Sequence, residues 1–424
     1  MTAVTHTDTM TGKEHWRNTI IAGLANYIDA GSIVSGSVAL ALWKEQYDLS
    51  DNFIGLIGAF SANAISAGVG ALIGGRLCDI FGRKKIYQFD MLFYAFGMLF
   101  LIFAAAPWMI ITGFLLVGLA VGADIPASWS LIAEQAPDHK RAAHSGVAQI
   151  LWYLGPVAIL AAAYFLKPFG IDGVRWLFIH LATLALALTF LRSRMRESER
   201  WEESAAAAEA TGTVTGWSDV LAPRHLAAIL YLVTMYGMWN LWAGYNGFFT
   251  PYLIAQNNLP EWAETVVPAS YFLVGMLSIF FVFMRLADRV NQRALFAISA
   301  ILHVVGMMVL AIFGFTLTAV IIHIVIMGVA GGFGAQSFFQ LWSSELFPTA
   351  IRSTAQGLAF AIVRIGLGIW SLAVPALAAR NFTELAWILT GFLVISGVVG
   401  AIWAPRNEGK SLEQLAADSA KIST

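Results

Sequence analysis

The sequence predicts an all-α membrane protein of twelve transmembrane helices in two six-helix bundles. Three observations predict it: the apolar composition, the length of the apolar blocks, and an echo between the two halves. Hydrophobic residues make up 58% of the 424 and charged residues only 12%, where soluble domains carry roughly 25% charge. Mean hydropathy is +0.70. The apolar residues fall in blocks about 20 or more long, the length that crosses a hydrocarbon core of roughly 30 Å. Lipid offers no partner for an unpaired backbone group, so each block must be a helix.

Spans 1 to 6 are expected at about 19–43, 53–75, 86–106, 108–133, 145–166 and 175–191. Spans 7 to 12 follow at about 226–254, 265–284, 294–314, 316–342, 354–378 and 385–404. Residues 1–18 are polar and the first span has no small-residue cleavage site, which argues against a removed signal peptide. With both termini placed inside, the inner segments hold 20 Lys and Arg and the outer segments 4, with Arg364 left within a span. That asymmetry orients the chain in a plasma (inner) membrane with both termini cytoplasmic.

The same composition excludes other classes. Lys+Arg 25 against Asp+Glu 26 gives a net charge of −1, so no basic excess exists to neutralise nucleic-acid phosphates. Cys78 is the only cysteine, which excludes an internal disulfide and a thiolate metal cluster. His180, His303 and His323 lie in spans without metal-ligand spacing, so no metal is expected. No nucleophile–base set or phosphate loop suggests an enzyme. No cofactor is expected, and the lipid bilayer and a small-molecule substrate are the expected partners of a monomer.

The longest break in the apolar pattern, Arg192 to Arg224, divides the spans six and six. The expected units are a bundle over 1–191, a linker over 192–224, a bundle over 225–404 and a tail over 405–424. Glu134, Pro137, Arg141 and Gly146 recur as Glu345, Pro348, Arg352 and Gly357 at the same spacing. Arg76-Leu77-Cys78-Asp79 recurs as Arg285-Leu286-Ala287-Asp288. Six spans is an even number, so both halves insert the same way round, as parallel repeats. A rocking-bundle transporter with its site between the halves is built on that plan.

The motifs carry a family resemblance over nearly the whole chain. Gly75-Arg76-Leu77-x-Asp79-x-x-Gly82-Arg83-Lys84-Lys85 resembles the signature of the major facilitator superfamily. Glu134-x-x-Pro137-x-x-x-Arg141, Glu197-Ser198-x-Arg200-Trp201 and Gly244-x-Asn246 resemble marks of its sugar porter branch. So do Glu345-Leu346-Phe347-Pro348-Thr349-x-x-Arg352 and Gly409-Lys410-Ser411-Leu412-Glu413. The resemblance implies a cytoplasmic gating network of Asp79, Arg83, Glu134, Arg141, Glu345 and Arg352, with Asp288 repeating Asp79. Acidic groups at helix ends beside arginines of neighbouring loops favour such pairing.

Three charged side chains fall well within spans: Asp29, Asp124 and Arg364. A carboxylate near the bilayer centre costs about 2.5–3.5 kcal/mol, so such residues usually face a cavity and act there. The segment around Asp29 resembles the first-span stretch in which proton-coupled sugar porters carry their titrating Asp. Proton coupling and a structural pairing both remain open for it. Gly122-Ala123-Asp124-Ile125-Pro126 resembles instead the Gly-Gly-Asp-Tyr-Pro of phosphate:proton symporters. The sugar porter Arg of span 4 is replaced by Phe114. Asp29, Asp124 and Arg364 form the expected proton-coupling set, with Arg364 pairing with Asp29, pairing with Asp124, or binding an anionic substrate.

A sugar or polyol site needs amides and hydroxyls beside aromatic faces. Span 7 offers Trp239, Asn240, Trp242 and Asn246. The resemblance implies substrate contacts from Asn246 and from Gln149 in span 5. Gln340 stands where the family has a Trp, with Gln336 and Trp342 nearby. The leading expectation is proton-coupled uptake of a sugar or polyol. Anion symport, efflux antiport (Gly155-Pro156 resembles part of that signature) and a transport-dead sensor are the alternatives.

Overall fold

A computed structural model of the chain describes residues 11–60, 64–137, 139–212, 215–250, 253, 254, 257, 259–405, 410, 412 and 414. Residues 1–10 and most of the tail lie outside these, including Gly409, Ser411 and Glu413 of the last motif. Among the described residues the regular structure is helical, without a strand. Span 1 is Gly12–Tyr47, span 2 is Asp51–Ala59 followed by Ile65–Phe81, and span 3 is Arg83–Ile102. Spans 4, 5 and 6 are Pro107–Gln135, Arg141–Leu166 and Gly170–Ser193. Span 7 is Pro223–Gly244 with a wider π turn at Tyr245–Phe249, and span 8 runs from Glu261–Ser278 through Ile279–Phe283 to Met284–Leu286. Span 9 is Gln292–Phe313, and span 10 is Leu317–Gly332 followed by Ala335–Glu345. Spans 11 and 12 are Arg352–Arg380 and Phe382–Trp403.

Nine stretches of the described residues are long and apolar enough to cross a membrane, and one of them, Arg141–Ser193, holds spans 5 and 6. Span 1 falls short because Asn26, Asp29, Ser32 and Ser35, all buried, dilute its apolar run. Prolines start spans 4 and 7 at the first helical position, where a missing N–H costs nothing. Gly82 alone joins spans 2 and 3, and its φ of 98° is open to glycine and costly for other residues. Large side chains such as Phe89, Phe103, Ile301 and Ile369 stay exposed on the outer faces, which suits a lipid-facing surface.

The bundles meet along two seams that repeat one another. At the first, span 2 lies so close to span 11 that a Cβ on Gly75 would strike the Ser353 carbonyl. A Cβ on Gly357 would strike the Ala71 carbonyl in turn. At the second, span 5 meets span 8, where Gly146 receives the Met284 side chain. Span 10 breaks at Phe333 and Gly334, and Ser337 Oγ donates to the freed Gly332 carbonyl at 3.0 Å. Irregular backbone at membrane depth needs such a partner.

The start of the linker differs from expectation. Span 6 continues through Arg192, which is fully buried rather than at the start of a linker. The linker itself folds, with a helix at Glu199–Thr211 capped by Ser198 and a short turn at Trp217–Val220.

Candidate substrate site and inner latch

A cavity lies between the bundles. Span 1 contributes Ala30, Ile33 and Val34, and span 5 contributes Trp152, Tyr153 and Pro156. Spans 7, 8, 10 and 11 supply Trp239, Asn240, Asn246, Tyr271, Phe272, Gln336 and Arg364. Of the expected substrate residues, Trp239, Asn240, Asn246 and Gln336 therefore border it. Asn246 sits in the π turn of span 7, an irregularity common at functional sites. Gln336 accepts from the Tyr236 hydroxyl at 2.6 Å, and Trp239 donates to His303 Nε2 at 2.9 Å. Trp242 packs behind the wall, fully buried against His303 and His323. Gln149 and Gln340 lie deeper and bond to each other across the bundles at 2.5 Å.

Asp29 is buried, and its Oδ2 accepts from the indole N–H of Trp152 at 3.1 Å. Arg364 borders the cavity from the other bundle, on a wall that Trp152 shares. Its guanidinium donates to Asn240 Oδ1 at 3.4 Å and to the Tyr236 hydroxyl at 3.5 Å, and it lies over the Phe360 ring. Bonds of this length orient the guanidinium toward span 7 only weakly.

Asp124 is placed differently. Its cation is Arg192, at 2.7 Å, and the same nitrogen of Arg192 bonds Asp90 at 2.9 Å. The guanidinium also donates to the Tyr87 carbonyl and lies over the Tyr87 ring. Spans 3, 4 and 6 are thus joined around one buried cation inside the first bundle. The buried charges within the helices therefore include Asp90 and Arg192 beside the three expected. Sequence alone left both at block edges, where Asp90 read as five residues into a span and Arg192 as loop.

At the end of the molecule that carries the basic loops, the expected gating residues come together. Glu134 accepts from Arg83 at 3.1 Å and from Arg352 of the other bundle at 2.6 Å. Its repeat, Glu345, takes Arg141 of the first bundle at 2.9 Å. Each bundle's Glu therefore grips the other bundle's Arg. The two Asp residues are equally reciprocal. Asp79 accepts from the N–H groups of Ser353 and Thr354 at 3.2 and 2.7 Å, at the start of span 11. Asp288 accepts from those of Ala142 and Ala143 at 3.0 and 3.1 Å, at the start of span 5. A carboxylate at a helix N-terminus satisfies orphan donors and meets the positive end of the dipole. Burial pushes the Asp288 carboxyl above its ordinary range, against the pull of those two amides. Gln292 repeats Arg83, donating to Ala287 as Arg83 does to Cys78, so the charged network is heavier on the first seam.

Glu134→Gln should open this end. It leaves Arg83 and Arg352 buried without their shared anion, and removing one partner of a buried pair costs about 3–5 kcal/mol. Even about 3 kcal/mol shifts a two-state population on the order of 100-fold. A cysteine placed at buried Ser353, with Cys78 replaced by Ala, should then alkylate much faster. An unchanged labelling rate would remove Glu134 from the latch.

Several bordering residues carried no clear signal in the sequence. Trp152 and Tyr153 follow Gln149 by three and four positions, on its helical face, and Tyr236, which bonds the bordering Gln336, precedes Asn240 by four. That spacing was the available clue.

The comparisons with known proteins agree with this geometry. The family model described as Major Facilitator Superfamily matches residues 19–371. The "Minor myo-inositol transporter IolF" of Bacillus subtilis (strain 168) is 42% identical over 407 residues, covering 94% of this chain and 93% of that protein. The solved structure of the proton:xylose symporter XylE bound to 6-bromo-6-deoxy-D-glucose superposes with a TM-score of 0.84 at 17% identity, covering 96% of this chain and 99% of that one. An inward open structure of XylE from E. coli gives 0.69 at 18% identity, covering 95% and 99%. Family model, relative and fold coincide: this integral membrane protein belongs to the Major Facilitator Superfamily, among its sugar porter-like transporters.

Proposed function

We propose that the protein is a proton-coupled importer of a small uncharged polyol or sugar, working by alternating access. One observation carries the reading: a cavity between the bundles, lined by neutral amides, aromatic faces and Arg364, lies over a closed latch, and one of its wall residues, Trp152, holds the carboxyl of Asp29. Amides give and accept hydrogen bonds, as hydroxyl-rich substrates require, and aromatic rings suit their C–H faces. The 42%-identical myo-inositol transporter puts a cyclic polyol first among candidates, and the fold shared with a proton:xylose symporter supports a proton as the coupling ion. Asp29 is the residue we assign to carry it. The 20-to-4 charge asymmetry supports a plasma-membrane orientation with both termini and the latch cytoplasmic. Both walls of the cavity come from one chain, so a monomer suffices.

Arg364 supports a second reading, symport of an organic or inorganic anion. Asp124 adds little to it, being engaged by Arg192 inside the first bundle. One experiment separates the two. Purified protein in liposomes with a pH gradient, acid outside, would be offered labelled myo-inositol, xylose, a sugar acid and phosphate in parallel. Gradient-driven uptake of the neutral compounds is expected. Uptake of the anions alone would establish the second reading, and uptake indifferent to the gradient would end proton coupling.

A further inference from the structure

Between the cavity and the latch lies a column of uncharged polar side chains. A helix rises 1.5 Å per residue, and the residue order places each member. In span 10, Gln340, Ser343 and Ser344 stand between Gln336 at the cavity and Glu345 at the latch. Gln356 stands between Arg352 at the latch and Arg364 at the cavity, and Ser130 lies four residues above Glu134. Gln149 stands eight residues above Arg141 and three below Trp152. All of them are nearly or fully buried.

These groups satisfy one another, through Ser130–Gln356 and Gln149–Gln340 across the bundle interface and through the remaining bonds within the second bundle. Ser130 Oγ donates to Gln356 Oε1 at 2.8 Å, and Gln356 Nε2 donates to Ser344 Oγ at 2.9 Å and Ser343 Oγ at 3.2 Å. Ser344 in turn donates to the Gln340 carbonyl at 2.9 Å. Gln149 Nε2 donates to Gln340 Oε1, which leaves Gln149 Oε1 and Gln340 Nε2 buried with no hydrogen-bond partner. One is an acceptor and the other a donor, the pair that a single hydroxyl group fills. Buried amides without partners are costly, and apolar side chains would close the seam without that cost.

We propose that this column is an inner substrate site, occupied after the bundles part on the cytoplasmic side, and that it reads hydroxyl groups. When the latch releases, the bonds that cross the interface break and their donors and acceptors line the inner vestibule. A polyhydroxylated neutral molecule leaving the cavity replaces them one for one. The column itself is built from neutral side chains, so an anion finds no counter-charge in it. The site rests on the alternating-access import of a polyol; wild-type uptake tests that reading separately.

The test compares Michaelis constants for labelled myo-inositol at the two faces of the membrane, in right-side-out and inside-out vesicles. Gln356→Met and the pair Ser343→Ala/Ser344→Ala remove hydroxyl partners while keeping volume and charge. Each should raise the cytoplasmic-face KM about five- to tenfold, as loss of one or two hydrogen bonds implies, and leave the external KM near wild type. A column that only holds the inner face shut predicts the reverse sign. Weakening it would favour the inward-open state, lowering the cytoplasmic KM and raising the external one. That result, or no change at either face, overturns the proposal. The serine pair is the variant less disruptive to folding, and yield from detergent shows whether Gln356→Met is intact. If wild type carries no polyol at all, the proposed function itself fails.

Discussion

Asp29→Asn is expected to abolish accumulation driven by the pH gradient while substrate exchange across the membrane continues. Through one proton, a gradient of one pH unit supports about tenfold accumulation, and the variant should reach only equal concentrations on both sides. The expectation follows from where Asp29 sits. It belongs to span 1 of the first bundle, buried and held by Trp152 at 3.1 Å, while Arg364 borders the cavity from span 11 of the second. Burial and a nearby cation push a carboxyl's proton affinity in opposite senses. Rocking changes the distance to a cation on the other bundle, so the balance changes with the conformational state. That is the minimal device for moving a proton with a substrate. Asn keeps the shape and can still accept from the indole, so the cavity should survive. Accumulation intact in Asp29→Asn would assign coupling elsewhere, and loss of exchange as well would make Asp29 a structural or substrate-binding residue.

Arg192→Leu is expected to cost the most stability, about 3–5 kcal/mol. It would leave Asp90 and Asp124, both buried, facing one another without a cation. Lost contacts to the Tyr87 carbonyl and ring add to this. The measurement is the thermal unfolding midpoint of the detergent-solubilised protein. Replacing all three charges together, as Asp90→Leu, Asp124→Leu and Arg192→Met, should recover much of the loss, because no uncompensated charge then remains. If Arg192→Leu alone melts with wild type, the cluster carries no net stabilisation.

These predictions divide along what could be read before the structure. The members of the latch were legible, through the family resemblance and the matched offsets of Glu134 and Glu345, and of Asp79 and Asp288, in two copies of one pattern; that each Glu takes the other bundle's Arg was not. The partner of Asp124 was not, since Arg192 lies at the edge of an apolar block where position along the chain suggests solvent. Nor was the column of Ser130, Ser343, Ser344 and Gln356, because a serine in an apolar helix carries no mark of which neighbour it faces. Among the expected substrate residues, Trp239 and Trp242 look alike in sequence. Only the helix's rotation puts the first at the cavity and the second behind it.

Depth and count are therefore properties of the sequence here: lipid forces each apolar block into a helix, and the basic loops point to its direction. Azimuth is a property of the tertiary structure. A helix that is apolar on most sides does not announce which face meets lipid, which meets its own bundle and which meets the other. Close approach of backbones at Gly75 and Gly357, and the pairing of charges from distant spans, make that choice. Through it, Asp29 comes to Trp152 at the cavity wall and Asp124 goes to Arg192.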